Sequence, residues 1–124
     1  MSTPIPSDDE QIWQPSLDAM IAAPDYHEVM LENDRVRVLR TRIPPGHRTP
    51  IHTHRWAGVL YILSWSQFIR YDDKDNILLD TRTVEALQVP PTVLWSAPLL
   101  PHSLENVGEN DLHLIAVELK EGAL

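Results

Sequence analysis

The chain has 124 residues, of which eleven are Pro and four are Gly, and a formal net charge of -8. The length suits one domain with a single core. The acidic balance argues against nucleic acid or an anionic membrane as a partner, because both require a basic surface. The sequence contains no cysteine, so any metal site must use His, carboxylate or carbonyl ligands.

The first 25 residues are predicted to form an N-terminal arm. Residues 1–15 are rich in Pro, Ser and Asp, and Ser16 is placed to cap a short helix that Pro24 would end. The arm lacks the charged and apolar regions of a signal peptide. No apolar run approaches the ~20 residues that a membrane span needs. These features predict a cytoplasmic protein without a membrane partner.

Short apolar runs alternate with turn signals in the rest of the chain. The predicted strands cover residues 26–32, 35–43, 59–63, 67–71, 77–79, 87–89, 92–95, 104–107 and 112–119. Strands this short, with turns every roughly eight to twelve residues, are typical of an antiparallel sandwich or barrel. Residues 26–124 are therefore predicted to form one all-β domain.

A pair of histidines, His52 and His54, stands one residue apart after a Pro-Pro-Gly turn. Residues two apart on a strand point to the same face, so the two imidazoles are placed to bind one metal ion. His102 is the candidate third ligand. Three neutral imidazoles can hold Fe, Zn, Ni, Cu or Mn. The plainer interpretation is that each ring is a half-buried polar side chain with a hydrogen-bond partner.

The spacing of these residues resembles two motifs of the cupin superfamily. Gly46, five intervening residues and His52-Thr53-His54 match the pattern G-x5-H-x-H, and His102 with Asn106 matches H-x3-N. The resemblance covers roughly Val29 to Lys120. It implies a single antiparallel jelly-roll β-barrel, with His102 across the barrel from the His pair.

The motif departs from the cupin pattern at its carboxylate. A Glu is normal four or five residues after the second His, but this chain has Gly58 and Val59 there. Some cupin dioxygenases use three His without a carboxylate, whereas in other barrels the metal site has decayed. A carboxylate from elsewhere in the chain is a further possibility, and spacing selects none of the three candidates Glu85, Glu105 and Glu118.

The remaining histidines and an arginine-rich strand are given ordinary roles. His27, His47 and His113 are interpreted as polar residues outside the site. Arginines fall on both faces of the second predicted strand, at positions 35, 37, 40 and 42. This pattern predicts an edge or solvent-facing strand.

Three aromatic residues are predicted to line a substrate pocket: Trp56, Tyr61 and Trp95. Ordinary core packing is an equally good interpretation of them. Trp65 and Phe68 suit a core or an interface. Together with Trp13 they favour a homodimer, because a barrel this small does not easily bury so much aromatic surface.

The sequence therefore supports a small metal-binding cupin, with three functional alternatives left open. The first is a mononuclear metal enzyme, dioxygenase-like, acting on a small oxygen-rich molecule. The second is a module that binds or senses a small ligand without catalysis. The third is a purely structural barrel, which the absent Glu favours. Fold alone does not choose among them.

Overall fold

The computed structural model describes residues 13–120, which form two facing antiparallel sheets. The described strands are β1 His27–Glu32, β2 Val36–Ile43, β3 His52–His54, β4 Gly58–Ser64, β5 Phe68–Asp72, β6 Ile77–Asp80, β7 Val93–Ser96, β8 Leu99–Asn106 and β9 Leu112–Leu119. One sheet has the order β1-β2-β9-β4-β7 and the other the order β3-β8-β5-β6. The predicted all-β jelly-roll fold is confirmed.

The described part of the N-terminal arm packs against the barrel. A turn of 3-10 helix, Pro15–Leu17, leads into the single-turn helix α1, Ala19–Ala22. The cap of α1 is Asp18, whose carboxylate accepts from the Met20 amide, rather than the predicted Ser16. Residues 1–12 of the predicted arm lie outside the described residues. No helix within residues 13–120 is long and apolar enough to cross a membrane.

Two predicted strand boundaries are wrong for identifiable reasons. The segment at 87–89 forms no strand. Leu87 ends a 3-10 turn, Glu85–Leu87, and its carbonyl accepts hydrogen bonds from the Trp65 and Gln67 side chains. Strand β8 begins at Leu99, earlier than predicted. Its Pro101 lies where the pairing with β3 contains a bulge, a position where the missing N–H is tolerated.

The arginine-rich strand β2 is not at an edge, because it pairs with β1 on one side and β9 on the other. Its burial alternates: Arg37, Leu39, Thr41 and Ile43 face inward, and Arg40 and Arg42 face solvent. The prediction of an edge or solvent-facing strand is therefore wrong. Arg37 is buried and is paired with Glu118 and Asp18, which the sequence pattern could not place beside it.

The core lies between the inner faces of the sheets. It consists of buried apolar side chains from both: Leu39, Ile43, Trp65, Phe68, Leu112, Leu114 and Ala116. The rings of Trp65 and Phe68 meet edge to face at 5.7 Å, so these aromatics serve the core and not an interface.

We expect Leu39→Ala to lower the free energy of unfolding by about 2–5 kcal/mol, because the side chain is fully buried and its removal leaves a cavity. Leu78→Ala is the matched control, since Leu78 is 57% exposed on the other sheet and its truncation should cost under about 1 kcal/mol. Urea unfolding of the two variants measures both values. Equal losses would contradict this position for the core.

Candidate metal centre

Two adjacent strands bring three of the histidines together. His52 on β3 and His102 on β8 are direct cross-strand partners, and their ring centroids are 4.4 Å apart. His54 lies two residues further along β3, with its ring centroid 5.1 Å from that of His52 and 5.7 Å from that of His102. The three predicted metal ligands therefore line one inner surface of the four-stranded sheet. The expectation that His102 lies across the barrel from the His pair is wrong, because β8 is the direct neighbour of β3.

The facing sheet adds a fourth imidazole, His27, at the start of β1. Its ring centroid is 5.0 Å from that of His52 and 5.1 Å from that of His54. Ligand atoms of His27, His52 and His54 lie within 4.8 Å of one another, whereas His102 falls outside that set. The interpretation of His27 as a residue outside the site is therefore wrong. We call His27, His52, His54 and His102 the four-histidine cluster.

Each ring in the cluster is held at its Nδ1 atom. Nδ1 lies 3.0 Å from the Ala23 carbonyl in His27, 2.8 Å from the Pro50 carbonyl in His52 and 2.7 Å from the Leu100 carbonyl in His102. The fourth contact, 3.0 Å, joins His54 to the Glu118 carboxylate. A carbonyl or carboxylate oxygen only accepts, so in each neutral ring Nδ1 carries the proton. Every Nε2 then keeps its lone pair for a ligand.

Burial keeps the rings of His27, His52 and His102 neutral. It lowers the pKa of His52 from 6.5 to about 2, and repulsion by the other cluster imidazoles adds to the effect. Burial, with repulsion by His54, likewise lowers the pKa of His27 to about 4 and that of His102 to about 3. Neutral imidazole is the form that coordinates metals, so the cluster is ready to bind one at neutral pH.

A carboxylate does approach the site, but behind His54. Glu118 is 3% exposed and is bound on its other oxygen by Arg37 Nε at 2.7 Å. Arg37 in turn holds Asp18 with two hydrogen bonds of 2.9 and 3.0 Å. Burial raises the pKa of Glu118, but the hydrogen bonds and charges of His54 and Arg37 outweigh it and keep the pKa below its usual value. Glu118 is therefore an anion that orients His54.

The position of the absent motif Glu cannot hold a side chain. A Cβ on Gly58 would overlap the backbone carbonyl of Val117, which belongs to the neighbouring strand β9. Gly58 and Glu118 are direct partners across these strands. Of the three sequence candidates, Glu118 is thus the one near the site. Glu105 accepts the Tyr71 hydroxyl instead, and Glu85 is exposed.

The cluster opens into a largely apolar cavity of about 360 Å³ between the sheets. Trp56 borders this cavity. Trp95 reaches only its edge, because it is 64% exposed and pairs with Val59 on the outer face of β4 and β7. The assignment of Tyr61 to the pocket is wrong, because Tyr61 is half exposed on the outer face of β4. The inner face of that strand carries Gly58, Leu60 and Ile62. The other two histidines, His47 and His113, do not line the cavity.

Comparisons with known proteins support the fold. No protein-family model and no curated protein matches the sequence. Among solved structures, a cupin domain from Bordetella pertussis aligns with a TM-score of 0.56 and 18% identity, covering 76% of this chain and 91% of that one. A double-stranded β-helix protein from Klebsiella pneumoniae gives 0.53 and 16%, covering 79% and 78%. An RmlC-like cupin from Methanocaldococcus jannaschii gives 0.51 and 13%, covering 75% and 77%.

These similarities establish the class of architecture: the chain has the double-stranded β-helix fold that these cupin proteins share, which is the fold that the two motifs predicted. At such low sequence identities, these structural similarities show only the fold. Function has to be argued from the four-histidine cluster and its cavity.

We expect the metal-free protein to lose stability as the pH falls below about 6.5. Unfolded histidines take up protons near pH 6.5, while His27, His52 and His102 resist protonation down to about pH 4, 2 and 3. The unfolded chain therefore binds more protons in this window, and acid favours it by up to about 1.4 kcal/mol per pH unit for each imidazole. Urea unfolding in chelator between about pH 5 and 7.5 measures the slope.

The matched variants for this experiment are His52→Gln and His47→Gln. The first removes one of the buried bases and should reduce the slope by about one proton. The second replaces an exposed ring outside the cluster and should leave the slope unchanged. A slope that is the same in His52→Gln as in the parent would show that the buried rings do not stay neutral.

Proposed function

We propose that the chain binds one divalent transition metal in the four-histidine cluster and uses it to act on a small oxygen-rich molecule. The observation that carries this proposal is the common orientation of the rings: all four Nδ1 atoms face an acceptor, so all four Nε2 atoms are free. Borderline metals such as Fe, Zn, Ni, Cu and Mn accept imidazole nitrogen.

The donor set suits such a metal on two further counts. The second nitrogen of each ligand is already fixed, as in known metal sites. Four neutral ligands leave the ion's charge uncompensated except through Glu118, which touches His54 and not the free nitrogens. An oxygen-rich or anionic molecule would supply the missing compensation. A divalent metal there would polarise an oxygen of the bound molecule, and the apolar cavity would exclude water from it.

A ligand-binding role without catalysis remains the second candidate. It is favoured by the sparse polar chemistry of the cavity: beyond the cluster, Glu118 and Arg70, the described lining offers only the Thr41 and Ser96 hydroxyls and three tryptophan N–H groups, of which that of Trp65 already donates to the Leu87 carbonyl. No further acid or base is available to move a proton. Turnover, tested by oxygen uptake with β-dicarbonyls and phenolics, separates the two roles. The structural barrel, the third alternative, requires that no metal bind.

We expect the protein, purified without chelator or an affinity tag, to contain close to one equivalent of metal per chain by elemental analysis. Substituting His27, His52, His54 or His102 by Ala should weaken metal binding by more than about tenfold, because each removes a donor. His47→Ala is the control, since its ring is exposed and bonds the Tyr26 hydroxyl away from the cluster.

The His27 and His102 variants discriminate between ligand sets. Loss of metal in His27→Ala supports the participation of β1, which the sequence motifs do not include. A metal-free wild type that takes up none of the five metals would overturn the proposal. Retention of metal in both His27→Ala and His102→Ala would restrict the site to the His52–His54 pair and contradict the four-donor arrangement.

We further propose that two copies pair through the outer face of β4 and β7. This face exposes a contiguous apolar patch made of Val59, Tyr61, Leu63, Val93 and Trp95, which we call the outer patch. Large exposed apolar patches mark association sites. A net charge of -8 opposes self-association elsewhere, but the outer patch contains no charged residue. It therefore suits a second copy of this chain.

We expect sedimentation at micromolar concentration to give twice the 14.2 kDa monomer mass. Tyr61→Glu places a charge in the outer patch and should yield monomers, because the carboxylate would have to be buried. Leu78→Glu changes an equally exposed leucine on the other sheet and should remain dimeric. A monomeric wild type, or dissociation by Leu78→Glu alone, would refute pairing through this face.

A further inference from the structure

One cation in the cavity has no role in the metal centre. Arg70 lies on β5, where it is the direct partner of Leu104 on β8 and Leu79 on β6. All three side chains line the cavity. Because Leu104 and His102 are two residues apart on β8, Arg70 is a diagonal neighbour of His102 on the same inner face.

Arg70 is half-buried on β5, and its guanidinium lacks the partners that such a group normally has in a protein interior. Among residues 13–120 it makes no ion pair and no hydrogen bond, and its Nε is buried without an acceptor. Its contact within this region is the Phe68 ring, 5.8 Å from the guanidinium carbon. Burial lowers the pKa of Arg70, and no acidic neighbour offsets the effect.

Arg37 shows what a structural arginine looks like in the same protein. It is buried, its donors reach Glu118 and Asp18, and these partners raise its pKa despite burial. The fold thus satisfies the buried Arg37, whereas the half-buried Arg70 borders an apolar cavity with an unsatisfied Nε. A buried donor without a partner is costly, so an external acceptor accounts for Arg70 better than a packing role does.

We propose that Arg70 binds the carboxylate of a small carboxylic acid whose apolar body fills the cavity and whose other polar end faces the four-histidine cluster. The fork of the guanidinium matches the two oxygens of a carboxylate. Apart from the cluster, Arg70 is the one basic side chain in the described lining, which suits a monoanion better than a phosphate dianion.

The cavity limits the rest of the ligand. Its volume of about 360 Å³ admits a small molecule, and leucine, isoleucine and aromatic side chains make up most of its wall. The ligand is therefore a compact acid with an aromatic or branched aliphatic body. This inference rests on the proposed function for the position of the reacting end, but the binding of the carboxylate to Arg70 does not require the metal.

The test compares 3-phenylpropionate with 3-phenylpropanamide by calorimetric titration of the full chain, first metal-depleted and then loaded with Zn. The two probes have nearly the same shape, and only the first is an anion. We expect the acid to bind at least tenfold more tightly than the amide in both forms of the protein. Binding of the amide as tight as that of the acid, or of neither probe, would overturn the proposal.

Three variants locate the interaction. Arg70→Gln should abolish the preference for the acid, while Arg70→Lys should keep part of it, because a point charge replaces the two-donor fork. Arg40→Gln removes an exposed arginine on the outer face of β2 and should change nothing. An undiminished preference in Arg70→Gln would refute the role of Arg70. If that variant does not fold, the comparison of acid and amide in the wild type decides.

Two further measurements distinguish this inference from the proposed function. Metal content should be the same in Arg70→Gln as in the wild type, since Arg70 is not a ligand. Its thermal stability without ligand should not fall, because an unpartnered buried charge is removed. A fall in melting temperature with the acid preference intact would assign Arg70 to structure. If the protein binds no metal but still prefers the acid, the metal proposal is wrong and the role of Arg70 in binding a carboxylate stands.

Discussion

Four buried imidazoles share a small space, and the contact at each Nδ1 is the constraint on which the site depends. Without these contacts, the rings could rotate or take the other tautomer, and no common direction would exist for the free nitrogens. Three of the acceptors are backbone carbonyls, of Ala23, Pro50 and Leu100. The orientation of these three rings is therefore fixed directly by the backbone conformation of three segments: the one before β1, the one before β3, and β8 itself.

The N-terminal segment is part of this arrangement. Ala23, which holds His27, follows helix α1, and the cap of that helix, Asp18, is bound by Arg37. Arg37 also holds Glu118, which orients His54. Two of the four rings are thus tied to the same buried ion-pair network. Breaking Arg37 away from its carboxylates would disturb His54 through Glu118, and His27 through the position of α1.

The sequence could predict features that depend on neighbouring residues in the chain. Contacts between the two sheets could be found only in the structure. Strand rhythm and the two motifs indicated the fold, placed His52 and His54 on one face and named His102 as the third ligand, but they placed it across the barrel and not on the adjacent strand β8. His27 was missed because it comes from the facing sheet and carries no spacing relative to the motifs. Tyr61 was wrongly assigned to the pocket, because the inward alternation of His52 and His54 continues through Gly58, Leu60 and Ile62 and leaves Tyr61 on the outer face. The opposite states of Arg37 and Arg70 depend on partners remote in the chain, so composition and periodicity could not distinguish them.

The absence of a carboxylate at Gly58 is a consequence of strand packing and not simply of a lost side chain. The close approach of the Val117 carbonyl admits only glycine at that position. Negative charge is instead supplied from the paired position on the adjacent strand, by Glu118, which reaches His54 rather than the free nitrogens. A carboxylate displaced in this way still stabilises a cation in the cluster through its ligand, but it occupies no coordination position. The inner side of the site is left with neutral donors and the positive charge of Arg70, and that combination favours an anion that enters from solvent.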